Sequence, residues 1–385
     1  MKLLNLVLII LNLLLLYVIV SPLLKRKFAK ITYVKFNHLK DLEPKILSAA
    51  IEMATSNKVY MPFSEENSLY TQLAKLKSIV LRNKSHQNYT YFNFPRAWLL
   101  LGMYKYADSA DKVHLKETVY KETKKLLDET GKLKFKFDKL DQVLFGLLFL
   151  ELHILTGEEK YLKAVEEIYQ KIQSFKRNDG IYLYRKKEQV IFIDTLGMLL
   201  PFLYTYADFL KSNELIDEAN KQLTFYLEKT VHNEKEFPCH AYDLENEIKL
   251  GSNNWSRGMA WLIIGMAYAA KYNYDNNSVK DLFNTYYKKL KDLKIDNYWP
   301  QFFGNTNDYQ IDASATIMFL FSKYFLNEIY DNEIDLALKN SIDENGFVEN
   351  NSGDTIYINK YSRVKGKSEL SQGLLLWILS LKKVI

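Results

Sequence analysis

Residues 191–203 read IFIDTLGMLLPFL: an apolar helix start with one carboxylate, Asp194, near its mouth and a proline, Pro201, two turns further in. Asp is a favoured N-cap because its carboxylate accepts the orphan amide hydrogens of a first turn. Taken alone, Asp194 is therefore either a cap or a catalyst. Repetition changes the weighing. Very apolar helices also begin near Phe94 (FPRAWLLLGMYKYA), Asp141 (DQVLFGLLFLELHIL), Trp255 (WSRGMAWLIIGMAYAAKY), Asp312 (DASATIMFLFSKYF) and Leu370 (LSQGLLLWILSL). With the start at Asp194 included, successive starts lie 47 to 61 residues apart, a period of helix pairs rather than of single helices.

More polar helices, each with one apolar stripe, are predicted over 112–127, 160–175, 214–227, 278–293 and 333–342. A sixth is read over 68–82, where Leu69, Leu73, Leu76, Ile79 and Val80 recur at helical spacing, after a short approach helix over 38–54. Helices apolar on most faces are buried, and those with a single stripe are peripheral. Six of each close into an all-α (α/α)6 barrel, a six-hairpin toroid with parallel inner helices; an open helical solenoid is the alternative. In the closed form the N-termini of the inner helices meet at one end, where their dipoles favour anionic groups.

The chain divides on this reading into an N-terminal segment over 1–30, an approach segment over 31–66 and the barrel over 67–385. Residues 3–24 are apolar apart from Asn5, Asn12 and Ser21, long enough to span a bilayer. They close with SPLLKRKF rather than an A-x-A-like cleavage site, which favours an uncleaved anchor. Lys25, Arg26, Lys27 and Lys30 outweigh Lys2, so the positive-inside rule would hold the barrel in the cytoplasm, while export led by this segment is the other outcome. The expected localisation is thus membrane-anchored or exported.

The formal charge of +6 has the same source, since beyond residue 30 there are 47 basic and 46 acidic side chains. A near-neutral domain carries no electrostatic footprint for nucleic acid, and none is expected as a partner. Cys239 is the single cysteine, which excludes an intramolecular disulfide. No Cys/His spacing fits a zinc site and no glycine-rich loop fits a phosphate, so neither metal nor cofactor is expected.

Asp141, Asp194, Trp255, Arg257 and Asp312 are predicted to converge on one funnel. The loops before the inner helices add His240, within FPCHAYDLENE, and Trp299, within YWPQFFG. Aromatic platforms with carboxylates and an arginine suit a carbohydrate, whose apolar faces stack on rings while its hydroxyls bond to charges. Each residue has an ordinary alternative. The two aspartates could be N-caps, His240 a surface histidine, and Trp261 a core residue. Arg257, early in an apolar helix, needs an anion, either Asp194 or a substrate carboxylate, because an unpaired buried guanidinium is costly.

The stretches LDQVLFGLLFLELHILTGEEKYLKA, FIDTLGMLLPFLYTYA and NNWSRGMAWLIIGMA resemble the unsaturated uronyl hydrolases, glycoside hydrolase families 88 and 105, and more closely the unsaturated rhamnogalacturonyl hydrolases. Trp255, Arg257, Gly258 and Trp261 match that family's W-x-R-G-x-x-W signature. The resemblance implies an (α/α)6 barrel that removes a 4,5-unsaturated uronic acid from the non-reducing end of lyase-generated oligosaccharides by hydrating its double bond. It implies Asp194 as general acid/base, Asp141 as the second active-site carboxylate, His240, Trp255 and Arg257 as substrate contacts, and, more loosely, Arg185 as a basic loop residue. Phe94 and Ala97 stand where the family usually has Tyr and Gly. The alternatives are another (α/α)6 activity, such as an inverting glycosidase, lyase or epimerase, or a membrane-tethered glycan-binding protein without catalysis.

Overall fold

Two kinds of helix alternate along the chain, and their composition dictates which is which. The computed structural model describes residues 31–56, 60, 93–231, 236–273, 277–304, 311–327, 332–355, 357–362 and 364–383, with seven isolated positions before residue 18. Among the described residues there are twelve α-helices. Those with even numbers are α2 (Phe94–Ser109), α4 (Leu144–Thr156), α6 (Ile193–Leu210), α8 (Ser256–Tyr272), α10 (Ala313–Phe325) and α12 (Glu369–Lys383). The odd ones are α1 (Glu43–Thr55), α3 (Val113–Thr123), α5 (Glu159–Gln173), α7 (Asn213–Thr230), α9 (Asn277–Lys291) and α11 (Glu333–Ala337).

In α6, 14 of 18 residues are buried, which only a helix surrounded on all sides achieves. In α5 the buried set is Tyr161, Ala164, Val165, Ile168 and Ile172, one stripe at spacings of three and four, as on a peripheral helix. The even helices pack in order, α2 on α4, α4 on α6, α6 on α8, α8 on α10, α10 on α12, and α12 returns to α2. That last contact closes the ring and excludes the solenoid.

Two pairs in the ring approach with their backbones nearly touching. A Cβ placed on Gly102 of α2 would lie 1.9 Å from the carbonyl oxygen of Gly373 in α12, and one on Gly197 of α6 would lie 2.5 Å from that of Trp261 in α8. Elsewhere bulky side chains fill the space, among them Trp98, Phe321, Phe325 and Trp377, whose rings lie 4.9 to 6.0 Å apart. Each such side chain removed from water stabilises the fold by about 1.5–3 kcal/mol.

The sixth outer position departs from expectation. Residues 68–82 lie outside the described residues. The place beside α12, α2 and α3 is held by α1, read above as an approach helix. Its buried residues Ile46, Ala49, Ala50, Met53 and Ala54 form the same stripe as the other outer helices, so residues 43–55 belong to the barrel. At the other end α11 is only five residues long. The approach segment packs beside it, with the backbone N–H of Leu39 donating to Asp335 at 3.0 Å. The apolar segment over 3–24 falls for the most part outside the described residues. Among those described, no helix is long and apolar enough to cross a membrane.

Short strands lie in the loops that precede the inner helices. β1 (Val190–Phe192), β2 (Ala241–Asp243) and β3 (Ile248–Leu250) form an antiparallel sheet in that order, and β4 (Asn351–Ser352) pairs with β5 (Lys365–Gly366). Register matters here. Phe192 opposes Ala241, and the backbone N–H of Ile193 donates to the His240 carbonyl at 2.9 Å. The loop carrying His240 is thereby fastened to the first turn of α6.

Candidate active site

Asp194 is the second residue of α6. The N-cap position is held by Phe192, and no side chain caps that helix. Asp141 lies inside a 3-10 turn, Leu140–Val143, ahead of α4. Neither carboxylate therefore serves as the N-cap of its helix, and the ordinary explanation for both is removed. The turn carrying Asp141 packs directly on α6. Asp141 is buried, and its Oδ2 accepts from the Tyr184 hydroxyl at 2.7 Å. Asp194 stays partly open to solvent, at 17 % for its side chain, and its Oδ2 lies 3.1 Å from Nε2 of His240.

His240 is buried, not the surface histidine that its loop position allows. Its Nδ1 lies 3.0 Å from the carbonyl oxygen of Ile358 and 3.3 Å from the Tyr361 hydroxyl. Rings run from it in both directions. Phe192 stands 5.7 Å away with Tyr184 beyond at 5.6 Å, and Trp255 stands 4.7 Å away, followed by Tyr361 at 5.1 Å and Phe302 at a further 5.1 Å. Tyr184, Phe192, Phe302 and Tyr361 are partly exposed and supply the open ring surface of this belt, whereas Trp255 is buried behind it.

Arg257 finds neither Asp194 nor open solvent. Its guanidinium donates to the carbonyl and hydroxyl of Ser352 and to the carbonyl of Gly353, the last at 2.7 Å, and lies 5.4 Å from the Trp255 ring centroid. These bonds hold the loop leading from β4, whose next residue is Asp354. Burial pushes the Asp354 carboxyl up, and the Asp194 charge adds to this while Arg257 and Lys139 oppose it. Lys139 at the rim is itself held below the usual lysine range, by burial first and then by Arg185, against the pull of Asp141, Asp138 and Asp354.

Two expectations are corrected. Asp312 is not a substrate contact. It is fully buried as the N-cap of α10 and accepts from the backbone N–H of Ser314, Ala315 and Ser352 and from the Ser314 and Ser352 hydroxyls. Burial raises its carboxyl, but Lys365, Arg257 and those donors outweigh it and hold it below the usual range. Trp299 is not a sugar platform. It has no exposure, its indole N–H donates to the Leu290 carbonyl at 2.7 Å, and its ring packs 4.8 Å from Phe319. Trp261 is also buried, edge-on to Phe94 at 5.4 Å and against Gly197. Arg185 stands half-exposed at the rim, paired with Glu188 at 2.6 Å.

Asp354, Ile358 and Tyr361 were missed by reading the sequence. All three lie in the segment before the last inner helix. Its polar run NNSGDT, which begins at Asn350 and Asn351, was the available signal, since loops in that position elsewhere in the chain carry chemistry. Among the described residues no three His, Cys, Asp or Glu side chains gather as a metal site.

The family model described as Glycosyl Hydrolase Family 88 matches residues 68–369. This chain belongs to Glycosyl Hydrolase Family 88. It is a glycoside hydrolase. Among solved structures, a possible member of the GH105 family from Klebsiella pneumoniae subsp. pneumoniae is 14 % identical, with a TM-score of 0.70 over 91 % of this chain and 95 % of that one. The unsaturated glucuronyl hydrolase of Bacillus sp. GL1, responsible for the degradation of glycosaminoglycan, is 14 % identical, with a TM-score of 0.64 over 90 % of this chain and 97 % of that one. An α-1,6-mannanase of Salegentibacter sp. HEL1_6 has the barrel too, at 9 % identity and a TM-score of 0.62 over 90 % of this chain and 99 % of that one. At such identities the likeness is one of fold, and the mannanase illustrates that one barrel hosts different chemistries.

Proposed function

We propose that this member of Glycosyl Hydrolase Family 88 removes a 4,5-unsaturated uronic acid from the non-reducing end of an oligosaccharide by hydrating the C4=C5 double bond. The observation that carries the reading is the Asp194–His240 contact at the mouth of the barrel, beside the turn that bears Asp141. Asp194 delivers a proton to C4, leaving an oxocarbenium ion at C5 and the ring oxygen. Water adds at C5, and its proton passes to the Asp194 carboxylate. The hemiketal so formed opens and releases the aglycone. Asp141, hydrogen-bonded to Tyr184, is assigned the ring hydroxyls and the water. The partly exposed rings of Tyr361, Phe302, Phe192 and Tyr184 offer stacking surface, with Trp255 packed behind them and Arg257 bracing the Ser352–Gly353 loop.

The test incubates the enzyme with lyase-digested pectin and glycosaminoglycans and follows the ultraviolet absorbance of the conjugated uronate. Loss of absorbance is expected, and Asp194→Asn should lower turnover by about 10²–10⁴-fold or more, the range for a general acid/base group, without lowering Tm. Steady absorbance with release of reducing sugar would point instead to a conventional two-carboxylate glycosidase. The apolar segment over 3–24 supports a further part of the reading, an anchored or exported enzyme, which protease accessibility on intact cells tests.

A further inference from the structure

His240 has a carbonyl and a tyrosine hydroxyl at one nitrogen and a carboxylate at the other. The Ile358 carbonyl, 3.0 Å from Nδ1, has no hydrogen to give. A bare Nδ1 there would set two lone pairs against each other at a buried position, which costs the full desolvation of both groups. The Tyr361 hydroxyl, 3.3 Å from the same nitrogen and accepting from the backbone N–H of Ser252 at 2.9 Å, can serve either as donor or as acceptor there, so the shorter contact with the Ile358 carbonyl decides. Nδ1 therefore carries a hydrogen. In the neutral ring Nε2 is then bare, and it faces Asp194 Oδ2 at 3.1 Å. Bare nitrogen against an ionised carboxylate is repulsive, so the contact requires a proton between them.

We propose that His240 is the proton partner of Asp194: the two share one proton across Nε2···Oδ2, and the Ile358 carbonyl selects which imidazole nitrogen faces the carboxylate. The proton sits either on Asp194 beside a neutral imidazole or on Nε2 beside a carboxylate. Its use in catalysis rests on the reaction proposed above. Asp194 in its acid form gives the proton to C4, the pair is then without one, and the proton lost by the water adding at C5 restores it. The pair begins and ends each turnover with one proton, so no outside acid or base is needed.

The surroundings favour this. Tyr226 on α7 and Cys239 in the loop before β2 are both pushed up by burial and stay neutral, and burial pushes Tyr361 up to about 12. Of the charged groups, Asp354 on the loop after β4 interacts with Asp194 and is itself countered by Arg257 and Lys139, while the turn bearing Asp141 packs on α6. The ring itself is held between Trp255 and Phe192, which fixes its plane.

Two measurements test the proposal on the intact protein. The first labels the six histidines with ¹⁵N and records imidazole nitrogen shifts from pH 5 to 8, with His240→Gln assigning the signal. Nδ1 protonated throughout is expected; a neutral ring protonated at Nε2 with bare Nδ1 would overturn the proposal. The second compares kcat against pH in wild type and His240→Gln. Losing the proton partner should move the alkaline limb of kcat to lower pH. A loss of equal size at every pH, with the limb in place, would show that His240 only shapes the pocket. The spectroscopic measurement needs no turnover. An enzyme inert on every unsaturated uronide sinks the proposed reaction alone, and the wrong tautomer sinks the shared proton alone.

Discussion

At Asp312 the carboxylate is consumed by its own surroundings. It sits at the N-cap of α10 with extended backbone, φ −116° and ψ 95°, so its oxygens meet the first-turn amides and both donors of Ser352. Asp194 is already inside its helix, and its side chain points to His240 instead. The two look alike in sequence, an acid before an apolar run, because a small difference in helix phase separates a cap from a side chain left to face its neighbours across the mouth. The difference is testable in stability. Asp312→Ala should cost about 2–4 kcal/mol, a cap together with its charge-assisted bonds to Ser352, read by thermal or urea denaturation. Turnover should fall as well, since Ser352 and Gly353 form the frame for Arg257. Asp194→Asn should leave Tm in place while turnover is lost, and a fall in Tm comparable to that of Asp312→Ala would contradict its placement outside the cap.

The elements around the site are placed by contacts that leave little freedom. α2 and α12 cross where Gly102 meets Gly373, and a Cβ on Gly373 would lie 2.2 Å from the Trp98 carbonyl oxygen. Backbone cannot move aside as a flexible side chain can, so Gly373→Ala should cost about 3 kcal/mol or more and lower soluble yield. Gly157, which ends α4 at φ 71° with open space where a methyl group would stand, offers a control: Gly157→Ala is strained only by its backbone and should cost about 1 kcal/mol. Chemical denaturation of the two variants separates steric overlap from backbone conformation. The stop at Thr156 and Gly157 was legible from sequence, because a glycine after an apolar run is a helix terminator. The crossing was not, since a glycine inside a helix does not name its partner.

Over the whole molecule, a buried Arg96–Glu369 contact lies where the ring closes. Arg96 on α2 donates to Glu369 at the start of α12 at 2.8 Å and to the carbonyls of Met53 and Ala54 in α1, joining the two ends of the inner ring to the sixth outer helix. Burial pushes the Glu369 carboxyl up to about 7, with Arg96 pulling the other way. A carboxyl raised on folding binds its proton more tightly in the native state. Its contribution is fully present below about 4.5 and is lost as pH rises through about 7. The Tm of Glu369→Gln relative to wild type should therefore rise between those values. A difference that stays flat across this window would show that the carboxyl is not raised.

The alternation of two kinds of helix and the end at which the inner ones begin were readable from the chain, as were Asp194 and His240, which the structure brings into contact. Periodicity and composition are local properties, and convergence follows from the parity of a closed ring. What only the tertiary structure decided is how each side chain is spent. The Trp299 indole is spent on the Leu290 carbonyl of α9 and the Asp312 carboxylate on α10 and Ser352, α1 takes the sixth outer place, and the loop before α12 brings Ile358 and Tyr361 onto a histidine more than a hundred positions earlier and Asp354 near Asp194. Long-range contacts of that kind leave no trace in spacing, because the sequence encodes which faces are apolar but not which atoms meet across the mouth of the barrel.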